Sequence, residues 1–267
     1  RLERMGADRA MMPGDDRLYD IRQLSHRRTA AQLLPLICPD NEDVISRKPT
    51  ECMTVEETEA ALACCPQPTA VVKAPWSSSG RGIRFIDTAR MSPSGMDTLH
   101  TDARKHFYGW LRNVIAQQGS VMVEPCYNKS KDFGMEFLAH ADGTIEYCGL
   151  SLFGTANGAY NGNILATERT KAEIMSRYLP TDLLEQAKAD ICRCLPQIIN
   201  GRYQGPLGID MMVVSEGRHK LHPCVEINMR RTMGHAALSL TPADDDIVRV
   251  MRMEYSNYQY KLKIERL

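Results

Sequence analysis

The spacing of hydrophobic positions along the chain changes repeatedly between a helical period and a strand period. Apolar residues that fall on one helix face predict four helices, over residues 20 to about 39, 54–65, 97–118 and about 181–200. Thr54 stands where it can cap the second helix, and Glu57 occupies the capping-box position. Gly119 follows the third helix at the position where glycine commonly ends one. The second and third helices therefore carry end signals of their own.

Short apolar or alternating runs predict strands over residues 69–73, 83–86, 121–125, 132–139, 144–153, 205–214 and 220–228. Turn-forming residues at 141–143 and 215–217 join the last four strands into two hairpins. The Gly- and Asn-rich stretch 154–163 is predicted to be a loop that either lines a substrate pocket or is an ordinary connection. Helices and mostly antiparallel strands thus follow an α+β order without a regular βαβ repeat.

Composition is that of an ordinary globular protein and limits the classes of partner. Hydrophobic residues make up 43% of the 267 positions, and 33 Lys and Arg balance 33 Asp and Glu. This balance gives no support for nucleic acid or an anionic membrane as a partner. No run reaches the roughly 20 apolar residues needed to span a bilayer, and no signal peptide follows Arg1. Because the chain begins without Met, we expect a fragment or a chain with segments missing.

The nine cysteines are an odd number and are scattered without a C-x-x-C pair. No pair of histidines has zinc-finger spacing, so a structural zinc site is not expected. Most of the cysteines stand among aliphatic residues, where a free thiol behaves as a small hydrophobic group. Cysteine usage therefore favours a reducing, cytoplasmic location.

The first candidate group for chemistry is Lys73 with the loop that follows it. Lys73 ends a buried strand, and the loop contains Ser77, Ser78, Ser79, Gly80 and Gly82. An ammonium beside hydroxyls and unobstructed backbone N–H groups suits phosphate oxygens. The lysine precedes the loop, so this is not a Walker A motif. A surface hairpin turn with an ordinary lysine is the alternative.

A second group lies where the strand 121–125 leaves the core. Glu124 and Pro125 end the strand, and the exposed backbone at Cys126 and Tyr127 could pair with a purine edge. Asp132 follows within reach of a ribose. The alternative is a strand end with a solvated acid.

A third group consists of Asp210 on one strand and Glu226 with Asn228 on the next. The strand period of two puts Glu226 and Asn228 on one face, and a hairpin brings Asp210 opposite them. Two carboxylates and an amide oxygen suit Mg²⁺, whereas a solvated polar face is the alternative. Arg230 and Arg231 follow, and one of them could clamp a phosphate or a substrate carboxylate.

In this order and spacing, the three groups resemble the motifs of the ATP-grasp superfamily over roughly residues 20–240. The resemblance implies an α+β fold in which two lobes with mostly antiparallel sheets sandwich ATP. It implies an N-terminal segment over 1–45, a lid over 46–118 and a C-terminal core over 119–267. The short first segment suggests the remnant of a preceding domain.

The resemblance also implies a role for each candidate residue. Lys73 would bind phosphate, residues 77–82 would close over the triphosphate, and Glu124 to Tyr127 would hold adenine. The Asp132 carboxylate would accept hydrogen bonds from the ribose hydroxyls. Mg²⁺, or Mn²⁺ in its place, would be bound by Asp210, Glu226 and Asn228, and Arg230 would contact the transferred phosphate or the acyl substrate.

Two positions depart from the family pattern. Gly208 stands where an arginine often precedes the metal-binding acid, and Arg230 or Arg231 is the candidate replacement. A basic residue expected on an early helix has only Arg27 or Arg28 as its occupant. Cys126 and His235 lie near the candidate site, but without a catalytic partner they are expected to have core or bystander roles.

The function that the resemblance implies is an ATP-dependent ligase. A small-molecule carboxylate would become an acyl phosphate, which an amine or a thiol then captures. A small-molecule kinase on the same fold and a non-catalytic ATP-binding module are the alternatives. The sequence leaves the substrates and the oligomeric state open.

Overall fold

The computed structural model describes residues 3–6, 8, 12–77, 82–91, 102–156, 159–256 and 258–267. Within these ranges the helices are α1 (Asp15–Leu24), α2 (Arg27–Leu33), α3 (Val55–Ala63), α4 (Asp102–Gln118), α5 (Glu168–Met175), α6 (Thr181–Ile199) and α7 (Met233–Ser239). The strands are β1 (Thr50–Cys52), β2 (Thr69–Lys73), β3 (Ile83–Asp87), β4 (Val121–Pro125), β5 (Lys129–Ala139), β6 (Ile145–Ser151), β7 (Phe153–Ala156), β8 (Ala159–Leu165), β9 (Gly205–Glu216), β10 (Arg218–Asn228), β11 (Arg249–Ser256) and β12 (Gln259–Arg266).

The described strands form three four-stranded antiparallel sheets, in the orders β1-β4-β2-β3, β10-β9-β5-β6 and β12-β11-β8-β7. α3 and α4 pack on the first sheet, where Leu62 and Leu111 are fully buried against Val72. The division of the chain at residues 118 and 119 stays a prediction. β4 lies just beyond that boundary and pairs with both β1 and β2.

The second sheet shows how the strand period positions the candidate site. Its odd-numbered residues on β5 and β9, such as Phe133, Phe137 and Ile209, pack against α2 and α6 in the largest core cluster. Because side chains alternate, the even-numbered residues of the same strands project from the opposite face. That face carries Glu136 and Asp210, and it borders the cavity described below.

Several sequence-based predictions are confirmed. Thr54 caps α3 by accepting a hydrogen bond from the Glu57 backbone N–H, and Glu57 accepts one from the Met53 N–H. Gly119 follows α4 in the left-handed region, with φ of 85°. The predicted strands 69–73 and 121–125 coincide with β2 and β4. The start of the helix predicted over 97–118 lies partly outside the described residues.

Other predictions are wrong. The helix predicted from residue 20 to about 39 is divided into α1 and α2, because His26 caps α2 by accepting from the Arg28 N–H. The loop predicted over 154–163 is largely the β7–β8 hairpin, and the predicted strand 144–153 ends at Ser151. β1, α5, α7, β11 and β12 were not predicted.

The nine cysteines are all free, and four of them are buried. Among the described residues, no helix combines the length and the apolar character needed to cross a membrane.

Candidate active site

Asp210, Glu226 and Asn228 meet on the open face of the second sheet. Glu226 pairs directly with Asp210 across β9 and β10, and Asn228 pairs with Gly208. The Asn228 side-chain amide donates to Asp210 Oδ2 at 3.1 Å. The three side chains line a cavity of about 330 Å³. Arg230 and other residues described in the following paragraphs complete its lining. The structure thus brings the predicted metal-binding residues together.

The electrostatics of this group favour a cation. Burial and the neighbouring Glu226 carboxylate raise the pKa of Asp210 to about 7. Two such close carboxylates repel each other, and a divalent cation would relieve that repulsion. The described part of the chain contains no cluster of three or more His, Cys, Asp or Glu residues arranged to hold a metal. The candidate set therefore depends on Asn228 as its third oxygen donor, which suits Mg²⁺.

Two arginines approach the same group. Arg27 on α2 donates from Nη1 to Glu226 Oε2 at 2.9 Å, and Arg230 donates from Nη2 to Asn228 Oδ1 at 2.9 Å. Both arginines line the cavity. Of the two residues considered for the early basic position, Arg27 is the one that reaches the site. Arg231 lines a different groove.

Arg27 also connects this group to the loop after Lys73. Its Nε donates to the Ala74 carbonyl at 3.1 Å, and its Nη2 donates to Ser77 Oγ at 3.3 Å. Ser77 lines the cavity. The Gly82 backbone lies so close to Ser77 that a Cβ on Gly82 would be 2.3 Å from Ser77 Cβ. Ser78, Ser79 and Gly80 lie outside the described residues.

Lys73 lies in a small adjoining cavity that Arg27 and Glu124 also line. Its ammonium forms an ion pair with the Glu124 carboxylate, and each side chain is only 9% exposed. β2 and β4 position this pair because Lys73 and Glu124 lie on neighbouring antiparallel strands. The phosphate-binding candidate is therefore paired with the first residue of the adenine-binding candidate.

The remaining predicted residues lie at the edge of the site. The Cys126 N–H donates to the Thr69 carbonyl at 2.9 Å, so this donor is already paired. The Tyr127 ring packs edge-on against His222, and burial raises the pKa of Tyr127 above its usual range. Asp132 accepts from Lys129 at 2.6 Å and also from Thr155, a residue of the cavity wall. These residues approach the cavity without lining it.

Glu136 is a cavity residue that was not predicted. It is only 4% exposed, and its Oε2 accepts a hydrogen bond from the Thr232 hydroxyl at 2.8 Å. The His235 Nδ1 lies 2.9 Å from the same oxygen. The alternation of β5 contained the signal, because Glu136 shares the strand face of Asp132. His235 was expected to be a bystander, but it contacts this carboxylate.

The β6–β8 region supplies the far wall of the cavity. The Tyr160 hydroxyl donates to Asn163 Oδ1, and the Asn163 amide donates to Ser151 Oγ at 2.8 Å. Phe153 and Thr155 from β7 complete this wall. Of the two roles considered for residues 154–163, lining the pocket is the one that the structure supports.

The space for Glu136 depends on a glycine. A Cβ on Gly234 would lie 1.8 Å from Glu136 Oε1 and 2.6 Å from Ser151 Oγ. We expect Gly234→Ala to lower the free energy of unfolding by about 1–3 kcal/mol, because Glu136 would have to leave its partners. Gly154→Ala is the control, since no described atom outside its neighbours lies within 4 Å of its added Cβ. Urea unfolding measures both; equal stability of the two variants would contradict the prediction.

Comparison with known proteins gives matches by structure alone. No family model matches the sequence, and no curated protein sequence matches it significantly. N5-carboxyaminoimidazole synthetase from Staphylococcus aureus, solved with ADP, superposes with a TM-score of 0.52 at 12% identity. The match covers 88% of this chain and 58% of that protein. Biotin carboxylase from Campylobacter jejuni, in a β-γ-ATP complex, gives 0.54 at 14% identity, covering 85% of this chain and 43% of that one.

A third match is the biotin carboxylase domain of 2-oxoglutarate carboxylase from Hydrogenobacter thermophilus, solved with MgADP, ADP and bicarbonate. Its TM-score is 0.52 at 10% identity, with 86% of this chain and 50% of that one covered. This chain has the ATP-grasp fold that these enzymes share, as the motif resemblance implied. It spans about half the length of the structures that it matches.

Proposed function

We propose that this chain is the ATP-binding and catalytic part of an ATP-dependent ligase that activates a carboxylate as an acyl phosphate. The observation that carries the proposal is the convergence of Asp210, Glu226 and Asn228 with Arg27 and Arg230 on one cavity. Such a cavity would join the candidate divalent-cation site to two guanidiniums, and phosphoryl transfer depends mainly on charge stabilisation of this kind. The nucleotide complexes of the three structural matches support ATP as the substrate.

The residues divide the work according to their positions. Lys73 would neutralise phosphate charge from the adjoining cavity, while Arg230 would orient the acyl substrate or the transferred phosphate. Mg²⁺ would be held by Asp210, Glu226 and Asn228 and would supply further positive charge to phosphate oxygens. A substrate carboxylate oxygen attacks the γ-phosphorus, and the bond to the bridging oxygen of ADP breaks. No protein side chain forms a covalent bond in this scheme.

A small-molecule kinase on the same fold is the second candidate. It needs a base that takes a proton from an acceptor hydroxyl, and Glu136 faces the cavity where such a base would act. The two candidates differ in their products. A kinase leaves phosphate on its acceptor, whereas a ligase releases it.

Hydroxylamine trapping tests the proposal without knowledge of the natural acceptor. Hydroxylamine captures acyl phosphates as hydroxamates, so we expect ADP and a hydroxamate from MgATP with the correct carboxylate. Bicarbonate, acetate, succinate and glutamate form the first panel; bicarbonate is included because it is present in one structural match, and its trapped product is an N-hydroxycarbamate instead of a hydroxamate. We expect Asp246→Asn, at an exposed position, to behave as the native protein.

The outcomes of this assay separate the candidates. Carboxylate-dependent ADP formation with hydroxamate and free phosphate supports the ligase. Detection by mass spectrometry of a stable phosphorylated acceptor would contradict the ligase proposal and support the kinase. MgATP binding by calorimetry without any turnover across the panel would leave a non-catalytic binding module.

A further inference from the structure

Glu136 has one carboxylate oxygen held by the protein and one that faces the cavity. Oε2 receives the Thr232 hydroxyl and lies 2.9 Å from His235 Nδ1. The same His235 Nδ1 accepts a hydrogen bond from the Thr232 backbone N–H at 3.3 Å, so Oε2 belongs to a hydrogen-bonded group formed with Thr232 and His235. Oε1 accepts no hydrogen bond from any residue that the structure describes, and Glu136 lines the cavity. The protein therefore fixes Oε2 by its own contacts, whereas Oε1 is free to accept a hydrogen bond from a ligand in the cavity.

The rest of the protein keeps Glu136 in this position. The His235 ring is oriented at its other nitrogen by the Phe137 carbonyl, 3.2 Å from Nε2. Thr232 caps α7 by accepting from the His235 N–H, so the two partners of Glu136 are themselves linked. Gly234 leaves the space that the carboxylate fills. This is the arrangement of a rigidly held group rather than a solvated acid.

The negative charge of the Glu136 carboxylate limits which ligand groups can bind Oε1. Oε1 can only accept hydrogen bonds while the carboxylate is ionised, so a ligand that binds it in the cavity must donate a hydrogen bond. Phosphates and a substrate carboxylate are acceptors and would be repelled. The two cavity arginines already donate to Glu226 and Asn228. A protonated amine satisfies the site, whereas a thiol is a weak donor and would leave the carboxylate unpaired.

We propose that Glu136 binds the amine of the acceptor substrate through Oε1 and takes a proton from it, with Thr232 and His235 as positioning residues. The inference rests on the proposed ligase function and narrows its acceptor from an amine or a thiol to an amine. Ser151, whose hydroxyl lies beside Glu136 on the cavity wall, provides a second polar contact for the nitrogen.

The step balances without any further reactant. The ammonium gives one proton to Glu136, and the nitrogen lone pair then forms a bond to the acyl carbon. The bond between that carbon and the phosphate oxygen breaks, and phosphate leaves with the electron pair. The second proton of the nitrogen goes to the departing phosphate, and Glu136 returns its proton to solvent. The products are an amide, ADP and inorganic phosphate.

Ammonium and hydroxylamine form a probe pair that isolates this role. Near neutral pH ammonia exists almost entirely as ammonium, which must lose a proton to a base before its nitrogen can attack. Hydroxylamine is mostly uncharged at this pH, so its nitrogen can attack without a base. With the carboxylate found by hydroxylamine trapping, we expect Glu136→Gln to lower transfer to ammonium by about 100-fold or more. Capture by hydroxylamine should change by less than about 3-fold, well below the loss of general-base catalysis. Glu146→Gln, at an exposed glutamate on β6, is the control and should match the native protein in both.

Positional isotope exchange of the β,γ-bridging oxygen of ATP reports acyl phosphate formation in the same preparation. Exchange retained in Glu136→Gln, with ammonium transfer lost, supports the proposal. Ammonium transfer equal to that of Glu146→Gln overturns it, and so does a native protein that uses hydroxylamine but not ammonium. A raised Mg²⁺ requirement for exchange would make Glu136 a metal ligand and also overturn it. Absence of carboxylate-dependent exchange in the native protein overturns the ligase itself.

Thr232 gives an independent test if Glu136→Gln does not fold. Thr232→Val removes the hydroxyl that donates to Glu136, whereas Thr232→Ser retains it. We expect Thr232→Val to lower the rate of ammonium transfer about 10-fold and to leave isotope exchange unchanged, consistent with loss of one supporting hydrogen bond. Thr232→Ser should restore transfer. Equal loss of transfer and exchange in Thr232→Val, with no recovery in the serine variant, would contradict a positioning role.

Discussion

Asp210→Asn is expected to lower ADP formation by about 10³-fold or more and, at the same time, to stabilise the protein against unfolding. The loss of activity follows from removing one carboxylate of the candidate Mg²⁺ site, since a metal contributes several kcal/mol to phosphoryl transfer. The gain in stability follows because an uncharged side chain no longer faces Glu226 across the hairpin. Opposite effects on activity and stability are typical of a strained functional site.

The size of the expected gain in stability depends on pH. The folded-state pKa of Asp210 is raised to about 7, above the ordinary value of 3.8, by burial and by Glu226. Folding therefore costs more as pH rises from about 4 to about 7, because the unfolded state releases its proton first. Above about pH 7 the whole penalty is present, and the asparagine variant avoids it. We expect a gain of about 1–3 kcal/mol there, vanishing toward pH 4.

Urea unfolding in EDTA at several pH values measures this gain, and a coupled assay measures ADP. Asp246→Asn is the matched control, because its carboxylate is exposed and lies outside the cavity. Addition of Mg²⁺ and ATP should stabilise the native protein more than Asp210→Asn. A variant that is less stable than the native protein at pH 8, or that forms ADP at the native rate, would contradict the assignment of Asp210.

Lys73→Met is expected to cost about 3–5 kcal/mol of folding free energy and to abolish tight ATP binding. The Lys73 ammonium is the ion-pair partner of Glu124, and both side chains are 9% exposed. Removing one partner of a buried pair leaves an uncompensated charge, which costs more than the pair itself contributes. ATP binding is expected to be lost because Lys73 is the proposed phosphate-binding residue.

The double variant Lys73→Met with Glu124→Gln separates the two effects. It removes the stranded carboxylate, so we expect it to recover most of the lost stability without recovering ATP affinity. Lys105→Met, at an exposed lysine on α4, is the control for loss of a positive charge. Calorimetry with MgATP and urea unfolding provide the two measurements. Native ATP affinity in the double variant would show that Lys73 has only a structural role.

Local pattern predicted much of the second sheet and its acidic face. Because the strand period is two, the sequence around Asp210 and Glu226 was enough to bring both carboxylates to one face. The structure shows this pairing directly. The end of α4 was equally predictable, since Gly119 adopts a positive φ that suits glycine. These features depend on residues close in sequence or on one short hairpin.

The β7–β8 hairpin was wrongly predicted to be a loop, because glycine occurs both in loops and at places where two strands approach closely. Gly162 was taken as a loop signal. A Cβ at this position would lie 2.5 Å from the Met251 carbonyl of β11, and φ is 148°. The glycine thus permits close approach of a neighbouring strand, which is a known use of glycine within sheets. That neighbour is distant in sequence, so the local pattern could not distinguish a loop from a strand.

The sequence by itself determined the elements whose signals are local: the strand alternation, the helix ends and the order of Lys73, Glu124, Asp210 and Glu226 along the chain. Only the tertiary structure decided which distant side chains meet at the cavity. Arg27 reaches Glu226 across 199 positions, and Thr232 reaches Glu136 across 96. The physical reason is that side-chain pairing across a folded core depends on how helices and sheets pack. Neither periodicity nor spacing encodes that choice within a local window.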